Sequence, residues 1–586
     1  QDIFSLQNNL SFGTGQHRVT VGTANEFYSF DNAFFQARIG VWAFNSLDSL
    51  EAGLPTAFQR VLPTAARPEG PIAQFNVQQF GLYVQDEWTP NDRLTLTAGL
   101  RMDVPFNDTP VENPALSANP FLPINTANFP SGNVLWSPRL GFNLDPTGEG
   151  QTIVRGGVGY FTGRPPYVWL SNAFVGTGLE QVELTCSGAG VVPAFTVDPA
   201  NQPTTCAGGG GATAPRPSPS YFVDDFKFPQ TFRISVGADH RLPWGVVGTV
   251  DFLYSKNVNQ LYIQDANLVL LGPNTEGRFM YGTIGVSGTG AFAATPQRRT
   301  PASGPDAIGA AVLHSNTPLG RTYLGTIQLQ KSFTTGFEFN VGYTYSNSKD
   351  AMSLTSSQAF SNFQFAALDG PLHDRNLRTS FFHIPHKITV SGTVNLPYRS
   401  LLSLIYIGRS GDPYSWIVNG DANADGVNGN DLPFIPADPS QITLSDPTQY
   451  AALDEFIESQ DCLRENRGRI MERNSCQNPW QNYLNGRLAT TIPTIGTQGL
   501  ELSLDLFNVL NFLDRDWGLY KQVSEFEGGP RFLNAVGYDA ANDRPVYRFA
   551  PPTIIETTVF GENPSGAQSG VNRSRWSMQV GARYRF

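Results

Sequence analysis

Short and long connections alternate along this chain, and nothing else in the sequence constrains its fold so tightly. The segments they join have two-residue periodicity. Trp576, Met578, Val580, Ala582, Tyr584 and Phe586 alternate with Ser577, Gln579, Gly581, Arg583 and Arg585. Phe232, Ile234, Val236 and Ala238 do the same, as do Phe337, Phe339, Val341, Tyr343 and Tyr345, and Leu500, Leu502, Leu504 and Leu506. One face of each segment is apolar and the other polar, the pattern of a half-buried β-strand. Fifteen such segments are expected, at 2–12, 17–30, 73–89, 92–104, 134–145, 150–162, 227–242, 245–258, 321–333, 336–348, 384–396, 400–410, 482–492, 498–512 and 574–586. Every second link is a short run of turn formers: GTGQ, PND, DPTGEG, PWG, TT, LPYRS and PTIGTQG. The links between them run from about 29 to 71 residues. A soluble sandwich has no reason to sort its loops by length. A transmembrane antiparallel β-barrel does, because it has short periplasmic turns, long extracellular loops and strands that are apolar outward and polar inward.

Composition agrees with an all-β membrane protein. Charged residues are 15% of the chain, against the ~25% usual for soluble domains, and aromatics reach 12%. No apolar run approaches the ~18 residues that a membrane helix needs. The net charge of −11 argues against a nucleic-acid partner. Cys186 and Cys206, and Cys462 and Cys476, lie in two polar, Gly/Pro-rich segments. Neither pair is a C-x-x-C, so the open readings are two disulfides pinning long loops or four free thiols. Disulfides closing loops of this size would stabilise by roughly 3 kcal/mol each. The opening QDIFSLQNNLSFG has neither a basic nor an apolar leader region. Bacterial single-chain barrels have an even number of strands, so residues 1–586 are expected to be the C-terminal portion of a larger barrel, with an odd number of strands upstream.

The signatures of several enzyme classes are missing. No Gly-Lys pair exists to form a P-loop, and there is no G-x-S-x-G or H-E-x-x-H. The glycines of RGGVGYFTG (155–163) resemble a dinucleotide loop, but they lie within an alternating strand and are expected to be small lumen-side or bulge residues. His383 and His386 would point to opposite faces of a strand and cannot form a ligand pair. One cluster does suggest a metal. In DANADGVNGND (421–431), Asp421, Asn423 and Asp425 supply oxygens at positions 1, 3 and 5, and Gly426 follows at position 6. This matches the start of a calcium loop of EF-hand type. Position 12 is Leu432 rather than Glu, with Asp431 one place early as the fourth candidate ligand, and no helices are expected to flank it. A structural Ca²⁺ and a solvated Asx-rich turn are both open readings.

Several segments resemble TonB-dependent outer-membrane receptors. FGLYVQDEWTPNDRLTLTAGLRMDVP (80–105) is similar to a signature of that family. WSPRLGFNLDPTGEGQTIVRGGVGYFTGRPP (136–166), FKFPQTFRISVGADHRLPWG (226–245), GDANADGVNGNDLPFIP (420–436), RGRIMERNSCQNPWQNYLNGRLA (467–489) and LDLFNVLNFLDRDWG (504–518) resemble its Oar-like subgroup. The resemblance implies a 22-stranded barrel in the outer membrane of a Gram-negative-type bacterium, with a plug domain and a carboxypeptidase-regulatory-like domain before the barrel. Neither the plug nor a TonB box is found in this sequence. It further implies active, non-enzymatic transport of an unidentified ligand, driven by the proton-motive force through the TonB–ExbB–ExbD complex. Met578, Val580, Ala582, Tyr584 and Phe586 resemble the signal read by the barrel-assembly machinery, although an aromatic girdle would look the same. The loops at 163–226, 259–320, 411–481 and 513–573 are the expected capture surface. Tyr167, Trp169, Tyr221, Tyr414, Trp416 and Trp480 are either ligand contacts or loop packing. Arg233, Glu338, Asp505, Arg583 and Arg585 are expected in the lumen, paired with each other or with the plug. A passive porin, or a structural or adhesive surface protein whose loops bind partner proteins, is the alternative.

Overall fold

The computed structural model describes all residues except 34–36, 66, 214–215, 287–290, 333–335, 524–528 and 560–573. Its frame is a meander of fifteen long antiparallel strands. They are β1 (Asp2–Thr14), β2 (His17–Ala33), β3 (Ile72–Asn91), β4 (Leu94–Asn107), β5 (Leu135–Leu144), β6 (Thr152–Thr162), β7 (Gln230–Arg241), β8 (Val247–Asp265), β9 (Gly320–Ser332), β10 (Phe337–Asp350), β11 (His386–Leu396), β12 (Ser400–Arg409), β13 (Gln481–Pro493), β14 (Gly499–Phe507) and β15 (Ser577–Arg585). Each pairs with its neighbours in sequence. Periplasmic turns lie at one end of the sheet and long extracellular loops at the other. The turn at Thr334 and Thr335 falls outside the described residues.

All fifteen expected segments are strands, with one overrun. The segment expected at 498–512 leaves the sheet after Phe507, and a helix covers Val509–Leu513. Asn508 makes the break with a φ of 52°, and its side chain accepts a hydrogen bond from the Asn511 N–H. Asparagine tolerates this left-handed conformation and caps helices, which alternation alone does not register.

The outer face is apolar. Val84, Leu140, Val236, Val250, Phe252, Ile327 and Leu504 project from it, exposed. Rings mark both of its borders, as in barrels at the membrane–water interfaces. Phe4, Phe27, Phe80 and Phe106 run around the extracellular border with centroids 6.0, 5.8 and 5.9 Å apart. Trp88, Trp244 and Tyr398 stand exposed at the periplasmic border.

The inner face carries the charges. Arg155 bridges Asp239 and Asp251, and Arg487 reaches Asp505 at 3.1 Å and Glu501 at 3.4 Å. Arg585 also meets Glu501, at 2.6 Å. Arg233 lies over the Phe161 ring, and Arg101 pairs with the buried Asp103 at 2.7 Å. Glu338 and Arg583 form no ion pair among the described residues. Of the glycines in β6, Gly157 and Gly159 face the lumen. Gly156 instead lies on the outer face, where an added Cβ would come within 2.6 Å of the Phe142 ring.

The extracellular loops fold into a cap with its own apolar cores. One joins the upper ends of β2 and β3 (Tyr28, Phe30, Phe75) to the helix Tyr167–Phe174 and to Phe222, Phe226 and Phe228. A second surrounds Trp416 with Phe456, Phe532, Leu453, Ile457 and Tyr547. A third, smaller core holds Phe58 and Leu184 beside the Cys186–Cys206 disulfide. Cys462–Cys476 ties the helix Asp461–Arg464 to the strand Cys476–Gln477.

Two outcomes follow from these faces. Phe252→Arg should be less stable than Phe252→Ala by about 2–4 kcal/mol, the cost of a cation facing lipid near the midplane, in denaturant unfolding of the barrel refolded into vesicles. Trp416→Ala should loosen the cap by about 3–5 kcal/mol in hydrogen exchange of residues 410–480, whereas Trp480→Ala, 42% exposed, should change it by no more than about 0.5 kcal/mol.

Candidate functional site

The cap, rather than the wall, holds the clusters that could act on a ligand or an ion. Five of the six loop aromatics singled out in the sequence are packing residues. Tyr167, Trp169 and Tyr414 are buried in the cores, and Trp416 is fully enclosed at 0% exposure. Tyr221 packs against the small core of Leu116 and Ile124, and Trp480 alone of the six stands exposed. His383 and His386 do not converge. Ser348 N–H donates to Nδ1 of His383, and Nδ1 of His386 lies 2.8 Å from the Tyr343 hydroxyl.

The segment 421–431 is the most polar buried feature of the cap. It leaves the strand Ile417–Asn419 and folds into successive Asx turns. Asp421 accepts hydrogen bonds from the N–H groups of Asp425 (3.0 Å) and Gly426 (2.8 Å). Asp425 accepts from Val427 N–H at 2.9 Å and from Nδ2 of Asn430 at 2.8 Å. Gly426 makes the tight turn with a φ of 89°, where a side chain would also press on Pro296. The Asx turns are therefore present, but they are not solvated. Asp421 is 8% exposed, and Asn423, Asp425, Asn430 and Asp431 are 1% or less.

Asp431 takes no part in those turns. It accepts from Ala422 N–H at 2.7 Å and from Arg278 Nη1 at 3.0 Å. Arg278 also donates to the Leu432 carbonyl and lies 3.5 Å from Glu276, which accepts from the Tyr547 hydroxyl at 2.9 Å. Burial, and then the other acidic groups, push Asp421 and Asp425 well above the usual carboxylate range. Burial likewise raises Asp431 and Glu276, opposed in each case by Arg278. Arg278 itself is buried, yet Tyr547, Asp431 and Glu276 hold it above its ordinary value. Arg278, Glu276, Tyr547 and Asn430 were not singled out from the sequence. The first three lie more than a hundred residues from Asp421 in the chain, with no motif around them.

Four loops meet at this segment. The carbonyl of Asn423 accepts from Tyr281 N–H at 2.8 Å, that of Asn430 from Leu368 N–H at 2.7 Å, and Tyr547 arrives from the last loop. A cavity of about 230 Å³ adjoins it, lined by Glu276, Arg278, Asp369, Arg378, Asn423 and Asp431. A wider cleft of about 700 Å³ opens elsewhere in the cap, lined by Gln59, Asn172, Glu183, Ser220, Gln358 and Phe360. That volume is within the range of small-molecule sites, and its polar lining is mostly amides and hydroxyls with one carboxylate, Glu183. Met578, Val580, Ala582, Tyr584 and Phe586 line the exposed outer side of the terminal segment, far from either cavity in the sheet order.

No curated protein matches the sequence. Among solved structures, the chain is similar to the outer membrane transporter YddB from Escherichia coli, at 12% identity over all of this chain and 54% of that one, with a TM-score of 0.46. It is also similar to the copper transporter OprC, at 9% identity over 94% of this chain and 54% of that one (TM-score 0.42). For the siderophore receptor PirA from Acinetobacter baumannii the identity is 10% over 87% of this chain and 50% of that one (TM-score 0.40). The chain spans about half the length of each. The family model for the outer membrane beta barrel domain matches residues 1–513. With the apolar outer belt, the charged inner face and the sorted loops, that match places the chain in the outer membrane, and it belongs to the outer membrane beta barrel domain family.

Proposed function

We propose that this chain is the barrel of an active outer-membrane transporter of the TonB-dependent type, Oar-like in subgroup. It takes a ligand from the extracellular cap and passes it through a lumen gated by a plug that lies outside residues 1–586. The reading rests chiefly on the two free edges of the sheet. Among the described residues β1 pairs only with β2 and β15 only with β14, and no ladder joins β1 to β15. Lipid supplies no hydrogen-bond partners, so an open edge is not tolerated in the hydrocarbon region. On this reading further strands complete the wall, and a barrel that wide leaves an aqueous channel unless something fills it. The lumen charges support the same reading, since Glu338 and Arg583 stand ready for a plug. The transport step needs no covalent chemistry from this chain. Its partners are the TonB–ExbB–ExbD complex, which transmits the proton-motive force, and the barrel-assembly machinery, which reads Met578 to Phe586.

A structural or adhesive surface protein is the second reading, and the packed cores of the cap favour it, since folded loops make a firm docking surface. Intact-mass and peptide analysis of the native polypeptide, with conductance in planar bilayers, separates the readings. A mass well above 64.0 kDa, peptides from an upstream plug and a closed resting state are expected. A native mass near 64.0 kDa would overturn the transporter reading. Steady open conductance would then indicate a porin, and a closed barrel with no ligand uptake would indicate the surface protein.

A further inference from the structure

We propose that the segment 421–431 binds one calcium ion through the oxygens of Asp421, Asn423, Asp425 and Asn430, and that the ion locks four extracellular loops together. The first ground is uncompensated charge. Asp431 has Arg278, but the side chains of Asp421 and Asp425 meet only neutral donors, the backbone N–H groups of Asp425, Gly426 and Val427 and the amides of Asn423 and Asn430. The next nearest cation, Arg298, has its Nη2 against Gly426 but gives Nη1 to Asp265 at 2.8 Å. Two buried carboxylates without a counter-charge are costly to keep, and metal coordination is one of the few ways to do so.

The second ground is Asn430. Its side chain is fully buried and is held against Asp425 by Nδ2, yet its Oδ1 has no hydrogen-bond partner. Buried amide oxygens are nearly always satisfied. An oxygen left over beside a carboxylate has the chemistry of a cation ligand rather than of a structural hydrogen bond. Among the described residues no three acidic or histidine side chains converge. The site instead combines the two carboxylates of Asp421 and Asp425 with the amide oxygens of Asn423 and Asn430.

The donor set chooses the ion. It is all oxygen, with neither sulfur nor imidazole, which selects a hard cation over zinc or copper. A loop of mixed carboxylate and amide oxygens suits calcium, whereas magnesium demands a near-ideal octahedron and keeps its waters. Leu432 stands where a bidentate Glu would be, so affinity should lie near that of extracellular calcium modules, about 10⁻⁴–10⁻³ M. The consequence is mechanical. Asn423 and Asn430 hold Tyr281 and Leu368 through their carbonyls, and Asp431 reaches Tyr547 through Arg278, so fixing this segment fixes the loops after β8, β10, β12 and β14 together.

The test uses the full protein in detergent, stripped with EGTA and titrated with CaCl₂ by calorimetry. One ion per chain is expected, with magnesium failing to compete at equal concentration. Asp425→Asn, which keeps the shape and removes a charge, should weaken binding at least tenfold. In the wild type, calcium should slow proteolysis within residues 410–480 several-fold, and EGTA should restore it. Absence of saturable calcium binding in the wild type, or equal binding in Asp425→Asn and Asp421→Asn, would overturn the proposal. If a variant fails to fold, the proteolysis arm decides on the wild type alone, and cleavage indifferent to calcium sinks it.

Discussion

Lipid offers no hydrogen bonds, and the architecture of this chain follows from that. Every backbone N–H and C=O at membrane depth must find its partner in the wall, so the strands pair with sequence neighbours through a continuous run of antiparallel ladders. A wall one strand thick has two faces with opposite demands. The outer one must be apolar because it meets acyl chains, and the inner one must be polar because it meets water or a plug. Two-residue periodicity is the only sequence pattern that serves both, and it leaves the connections free to carry function.

That same constraint explains how much could be read in advance. The strands were legible because alternation is local, and the periplasmic turns because Gly, Pro, Asn and Asp mark them. The break at Asn508 escaped because a single left-handed residue ended a strand that the apolar pattern would have continued through Leu510 and Phe512. The cap was far less legible. Tyr167 and Trp416 look alike as exposed binding aromatics or as core, since composition does not say which loop lies over which. Their burial depends on contacts between segments more than a hundred residues apart, Tyr167 with Tyr28 and Trp416 with Phe532.

The polar node shows the limit in its sharpest form. The spacing of Asp421, Asn423, Asp425 and Gly426 identified a turn rich in oxygens, and the turn is there. Whether it lay in water or in protein was undecided by spacing, and burial changes its energetics. Three of its partners, Arg278, Glu276 and Tyr547, come from loops on two other strand pairs and carry no motif. Asp431, counted with the ligands because it lies beside them in sequence, is taken by Arg278 instead.

A cap with packed cores and a charged node behaves differently from a fringe of independent loops. Apolar burial around Trp416 favours assembly of the loops without specifying their register, whereas the hydrogen bonds at 421–431 accept only one arrangement of Tyr281, Leu368 and Arg278. Stability and specificity are thus divided between neighbouring parts of one layer. The node ties three other loops to its own through a few hydrogen bonds. Any ligand or ion that acts there acts on several loops at once, because Asn423 and Asp431 hold the loop after β8 through Tyr281 and Arg278, and Asn430 holds the loop after β10 through Leu368.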